Sequence, residues 1–164
     1  MNKISLFIDG SCLNNGKKNS TGSIGIYCSE NTDLTLGRVI NEKLFKITNQ
    51  TMELYACIEA FNLIKDLNIN CIYIYTDSTY VINCMTKWYT KWVDNNWITT
   101  TGKPVLNKEL IQLLYSLKIK QFVIFKHIRS HQKEPDKNDP SYNMWYGNFM
   151  ADKLARNASI PIDF

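Results

Sequence analysis

Two apolar runs in this chain break off on an aspartate. In KISLFIDGSC, residues 3–12, Ile4, Leu6 and Ile8 alternate with Ser5, Phe7 and Asp9, the period-two pattern of a strand covered on both faces. CIYIYT, residues 71–76, is a second such strand, β-branched and aromatic, and it ends on Asp77. An ionised carboxylate at the next position of a buried strand is costly. Either the chain surfaces at once, as Gly10-Ser11 would allow, or something positive meets the acid. Strand carboxyl ends are also where ligands and catalytic groups collect in α/β sheets.

The remaining pattern predicts a mixed sheet. Residues 13–20 read as a turn-rich loop, and 21–28 and roughly 33–45 as two further strands of an antiparallel meander. QTMELYACIEAFNLIKDL, after Thr48-Asn49, carries Met52, Ala56, Ile58, Leu63, Ile64 and Leu67 along the apolar side of a helix. Helical segments are expected to about 93 and from about 107 to 117, then a last strand, FVIFKHI, and a final helix near 145–159 stopped by Pro161. Hairpins first and βα units later imply an α/β fold with helices on the faces of the sheet. The tract 132–143, QKEPDKNDPSYN, reads as an extended surface loop.

At 164 residues the chain fits a single domain able to bury a core without disulfide staples. Its five cysteines are odd in number and form no C-x-x-C pair, so a reduced, intracellular protein without a zinc site is expected. No run of about 18 apolar residues offers a membrane span, and Asp9 interrupts any signal-peptide core. Cytoplasm is the expected compartment, with the nucleus or a viral context left open. The net charge of +4 is unevenly spread: residues 87–133 hold nine Lys or Arg against Asp94 and Glu109. Such an excess suits a polyanion, although solvated lysines give the same count.

Taken singly, the acids allow ordinary readings. Asp77-Ser78 leads into a helix, so Asp77 serves equally well as an N-cap. Glu53, near the start of the long helix, would favour the helix dipole. Glu59, six residues on, points to another side of that helix and reads as a surface charge. Asp152 lies in GNFMADKLARNA between the small residues Ala151 and Ala155, which leave room for close approach, but a solvated helix face fits too.

Together with their flanks they point further. IDGSC (8–12), TNQTMEL (48–54), YTDSTYV (75–81) and GNFMADKLA (147–155) closely resemble the four acidic motifs of type I ribonuclease H, in the same order and over nearly the whole chain. The resemblance implies the ribonuclease H-like fold: a five-stranded mixed sheet, three antiparallel strands and then two parallel, with helices on both faces. It implies that Asp9, Glu53, Asp77 and Asp152 ligate two Mg²⁺ ions, with Mn²⁺ able to substitute, an oxygen-only donor set suited to hard cations. Two such ions activate a water and stabilise the leaving oxygen in an in-line phosphodiester displacement. Ser130-His131 aligns with the family's Gly-His, which gives His131 an assisting role in proton transfer or product release; His127, in the strand alternation, reads as structural.

The implied function is metal-dependent endonucleolytic cleavage of the RNA strand of an RNA/DNA hybrid, leaving 5′-phosphate and 3′-hydroxyl ends. Cys12, Asn14, Asn15, Asn49 and Gln50 stand at family positions that touch the hybrid's minor groove, where RNA exposes its 2′-hydroxyls. Thr48 and Asn107 resemble a pocket for a DNA phosphate. Residues of about 86–105 resemble the Trp-rich basic protrusion of cellular members, with Trp88, Lys87, Lys91 and Lys103 as hybrid contacts, Trp88, Trp92 and Trp97 being also its natural packing core. Three departures stand out. His131 and Asp152 are 21 positions apart, about twice the family's usual spacing, and Val93-Asp94-Asn95 replaces residues that are often basic. Phe149 also stands where an acid is common. Two other readings remain: a non-catalytic hybrid-binding module, and the ribonuclease H domain of a reverse transcriptase. Met1 and the end just after the last helix favour a separate protein, expected to be a monomer.

Overall fold

The computed structural model describes residues 2–15, 17–41 and 45–159. Gly16 in the first loop, residues 42–44 of the expected third strand and the Pro161 stop lie outside them. Five strands form one sheet in the order β3-β2-β1-β4-β5: β1 (Lys3–Leu13), β2 (Thr21–Cys28), β3 (Leu36–Ile40), β4 (Cys71–Thr76) and β5 (Val123–His127). β1, β2 and β3 pair antiparallel, and β4 and β5 join β1 in parallel. This is the mixed sheet expected from the sequence.

Helix α1 (Asn49–Ile64) starts on a capping box in which the Thr48 and Thr51 hydroxyls each accept from the other's backbone N–H, a device worth about 1 kcal/mol. Its buried residues include Met52, Leu54, Ala56, Cys57, Ile58, Phe61 and Ile64, because it is enclosed between the sheet and helix α4 (Lys108–Lys118). The even-numbered residues Ile4, Leu6 and Ile8 of β1 join that core, whereas Phe7 meets α5 (Tyr142–Ala158) on the opposite face. Strand alternation thus separates two helical layers.

Four boundaries differ from expectation, the first being that Leu13, expected in the loop, pairs with Thr21 as the last residue of β1. β3 is five residues long, and α5 begins at Tyr142, so residues 142 and 143 belong to a helix rather than to the loop. The segment expected as one helix to about 93 is divided into α2 (Thr79–Asn83), a π-helical turn (Cys84–Trp88) and α3 (Tyr89–Asp94). Beyond it Asn96 and Trp97 both take positive φ, and an Ile98–Pro104 bridge closes the protrusion over a buried Trp97.

Two glycines set how closely the helices approach the sheet. A Cβ on Gly10 would sit 2.5 Å from the backbone nitrogen of Glu53, and one on Gly25 would sit 2.0 Å from the carbonyl oxygen of Ala151. Both partners are main-chain atoms, which cannot step aside as a side chain can. Gly25→Ala should therefore lift α5 from the sheet and lower stability by about 1–3 kcal/mol or more, the usual cost of overpacking. Urea unfolding checks this, and a variant as stable as the wild type would contradict the close-approach account.

Candidate active site

Asp9 does not end its strand. β1 continues to Leu13 against β2, with Asp9 opposite Gly25, but its parallel pairing with β4 stops at Phe7–Tyr75. Two residues further along both strands, that register brings Asp9 level with Asp77. The acids therefore stand where β1 and β4 part, β1 continuing along β2 while the chain after β4 turns into α2 (Thr79–Asn83).

Local structure delivers the other two. Gly10 admits the backbone of α1 and so sets Glu53 beside the fork, and Gly25 admits Ala151 and so sets Asp152 there. The hydroxyl of Ser23 donates to the carbonyl of Ala155 at 2.6 Å, fixing the same stretch of α5 on β2. Glu53 lies beyond the first turn of α1, and its carboxylate accepts from the Ser78 hydroxyl at 2.7 Å rather than serving the helix dipole. Ser78, not Asp77, caps α2: its Oγ accepts from the Val81 N–H. Asp77 is thereby left for the fork. Glu59, expected as an exposed charge, is instead paired with Arg38 and largely covered.

The electrostatics show that the three aspartates feel one another. Burial, then the Asp77 charge, then a hydrogen bond and the charge of Asp152 push the Asp9 pKa up to about 9. The crowding favours one proton held between Asp9 and Asp152 over two bare carboxylates. Burial raises Asp77 as well, with Asp152 adding to the rise and His131 and then His127 opposing it. Burial also raises Glu53; the Ser78 hydroxyl opposes it and the charge of Asp77 adds to it. Asp152 is further engaged by Arg156 at 2.7 Å, one helical turn on.

Among the described residues no three His, Cys, Asp or Glu side chains are drawn together into a ready-made metal cluster. The acids' oxygens are engaged by Ser78, Arg156, Gly10 N–H and one another. The donor chemistry nonetheless fits a hard divalent cation: every candidate ligand is a carboxylate, and their mutual repulsion is the field a cation would relieve.

The two histidines face this cluster from β5 and the following turn. His131 has φ of +54°, in the left-handed region, and shares a cleft with Asp77, Ser130, Gln132, Trp145, Asn148, Phe149, Asp152 and Arg156. His127, expected to be structural, is exposed and close enough to act on Asp77. His127 is the last residue of the β4–β5 pairing, opposite Thr76, the residue before Asp77.

The expected hybrid contacts fall into separate groups. Asn15 Oδ1 accepts from Asn49 N–H at 3.2 Å, and the Cys12 thiol lies 3.8 Å from the Ile47 carbonyl, so this loop and the start of α1 form one edge; Asn14, with φ of 56°, makes the turn. Thr48 uses its hydroxyl in the α1 cap, and the Asn107 amide donates to the Tyr80 hydroxyl at 3.0 Å. Gln50 and Lys103 line one cleft with Tyr80 and Trp92, whereas Lys87 lines another with Tyr115 and Lys118, and Lys91 is exposed. Trp88 is half-buried against Tyr80 and Trp92, and Trp92 meets Trp97, so the tryptophans pack the protrusion.

This geometry has known counterparts. The family model described as RNase H matches residues 1–160. The chain belongs to the RNase H family. Ribonuclease H of Clostridium botulinum is 38% identical over 163 residues, covering 96% of each chain. Ribonuclease H1 of Rattus norvegicus is 33% identical over 154 residues, which cover 94% of this chain and 49% of the rat protein. This family member thus spans about half the length of its mammalian relatives. In fold it is similar to the PFV RNase H domain, with a TM-score of 0.67 at 21% identity over 95% of this chain and 93% of that one.

The raised acids fix a pH dependence. A group protonated in the folded state and ionised in the unfolded one makes folding take up a proton, so stability is full below the unfolded value near 4 and falls as pH rises toward about 9. In the absence of divalent metal the melting temperature should fall across that window, and Asp9→Asn should flatten the slope and melt above the wild type near its upper end. A wild-type profile flat between those values would contradict the assigned crowding.

Proposed function

We propose that this chain is a metal-dependent endonuclease that hydrolyses the RNA strand of RNA/DNA hybrids, leaving 5′-phosphate and 3′-hydroxyl ends. The observation that carries it is the meeting of Asp9, Asp77, Asp152 and Glu53 from two strands and two helices at the β1–β4 fork, in a member of the RNase H family. Relatives named ribonuclease H that match nearly end to end support the same reading.

These four carboxylates would hold two Mg²⁺ ions, or Mn²⁺ in their place. Bound there, the ions supply water activation and charge stabilisation at the leaving oxygen. The chain's own groups do the rest. Asp9 and Asp77 anchor the site on rigid strands, the Ser78 hydroxyl orients Glu53, and Arg156 orients Asp152. His131 stands across the cleft from Asp77 and would move a proton to or from the reacting phosphodiester or its product. Cys12, Asn14, Asn15, Asn49 and Gln50 would sense 2′-hydroxyls in the minor groove, and Thr48 with Asn107 would take a DNA phosphate. Lys87, Trp88, Lys91 and Lys103 of the protrusion would meet the DNA strand.

Residues 1–164 act in this reading as one ribonuclease H domain with its protrusion at about 86–105, working as a monomer in the cytoplasm. The five cysteines, all free, support a reducing compartment. No described helix is long and apolar enough to cross a membrane.

The test is cleavage of an end-labelled RNA/DNA hybrid beside duplex RNA, duplex DNA and single-stranded RNA, with Mg²⁺, Mn²⁺ or chelator. Only the hybrid's RNA strand should be cut, and only with metal. Asp77→Asn should abolish cutting with its circular dichroism unchanged, and His131→Ala should lose about 10²–10⁴-fold, the usual worth of a positioned acid or base. Full turnover by Asp77→Asn would sink the assignment, and tight binding of hybrid without cutting by the wild type would mark a binding module instead.

A further inference from the structure

The proposed chemistry leaves the first turns of α5 without a task. Tyr142–Phe149 extend the helix well ahead of Asp152. Trp145 precedes Asp152 by seven positions, two helical turns, so Trp145, Asn148, Asp152 and Arg156 fall on one stripe. All four line the cleft shared with His131.

Across that cleft, His131 needs support. Its φ of +54° lies in the left-handed region, which is uncommon for a residue with a Cβ. The sheet gives little help beyond Ile128, whose N–H donates to Thr76 at 2.9 Å. The hydrogen bonds at 136–141 close their own local turns. Among the described residues, one hydrogen bond joins residues 129–135 to an element of the fold: the Trp145 indole Nε1–H donates to the Gln132 carbonyl at 3.1 Å. The indole is itself fixed, stacked on Phe149 with centroids 5.2 Å apart and planes at 17°, and flanked by Tyr142 at 5.6 Å. A carbonyl one residue after His131, held by a ring with aromatic neighbours on two sides, restrains the backbone that aims the imidazole.

We propose that Trp145 is a positioning residue for His131: its indole N–H tethers Gln132 and holds the imidazole facing Asp77 across the cleft. The residues that lengthen the His131–Asp152 interval therefore do two things. Some form the exposed turns at 136–141, and the rest add the helical turns that carry the tether. This inference rests on His131 as the proton-handling group.

Trp145→Phe keeps an aromatic ring to stack on Phe149 and removes only the donor. Single-turnover and steady-state cleavage of the hybrid should be measured against pH for the wild type, Trp145→Phe, His131→Ala and the double variant, with melting temperatures alongside. Loss of one hydrogen bond predicts kcat lower by about five- to tenfold in Trp145→Phe, with KM unchanged. The double variant should be no slower than His131→Ala alone. An unchanged kcat, or losses that multiply in the double variant, would overturn the proposal. Backbone ¹⁵N order parameters for residues 129–135 provide a readout independent of activity and should fall in Trp145→Phe alone. Equal order in both proteins would overturn the tether. A wild type that cuts no hybrid yet shows the order difference would support the tether while removing the functional reading above.

Discussion

Mutual repulsion among carboxylates at the parting of β1 and β4 is the constraint around which this molecule is organised. Burial raises the pKa values of Asp9, Asp77 and Glu53 there, and neighbouring aspartate charge adds to each rise. No arrangement that maximised stability of the bare protein would gather them. The surrounding fold must therefore hold them in place against their own repulsion, and each holding device acts through the backbone: the β1–β2 ladder carries Asp9, the β4 ladder Asp77, and the Gly10 and Gly25 contacts press in α1 and α5. A site held this way relaxes little when its charge is neutralised, which is the preorganisation that electrostatic catalysis requires.

The aspartates at 9 and 77 were legible because a buried strand interrupted by an acid violates patterning, and such violations gather at functional sites. The sheet was legible for the same reason that its alternation is strict. What stayed hidden depends on contacts distant in sequence. A glycine in β2 reads as a weak point in a strand until Ala151 is seen pressed against it. On paper Asp77 reads as a cap, whereas in the fold Ser78 caps α2 and its hydroxyl also donates to the Glu53 carboxylate. The early start of α5 was masked by Pro135, Pro140 and the turn formers between them, whose local signal outweighs an aromatic stripe that has meaning only beside Gln132.

The tryptophans show how position changes the meaning of one residue type. Trp88, Trp92 and Trp97 form a chain of tilted contacts inside the protrusion, closed by left-handed turns at Asn96 and Trp97. They supply the apolar contacts of a short helical excursion, and Lys87, Lys91 and Lys103 stay exposed around them. Trp145 is instead half-exposed at the rim of the cleft, with its N–H directed at a backbone carbonyl. Aromatic bulk serves packing in the first group and orientation in the second.

The site consequently has two halves of different stiffness. The carboxylates ride on sheet and helix backbones that cannot move without unseating the core. His131 rides on a turn with a strained φ and a single indole tether. That asymmetry suits the work proposed for each. Ligands for hard cations need fixed oxygens, since small displacements alter both spacing and charge, whereas a group that carries a proton and then clears the way for product gains from a bond worth only about 1 kcal/mol. Were the tether as firm as a β-ladder, the imidazole would be well aimed but slow to yield; were it absent, the left-handed φ would have nothing to oppose its collapse into a commoner conformation.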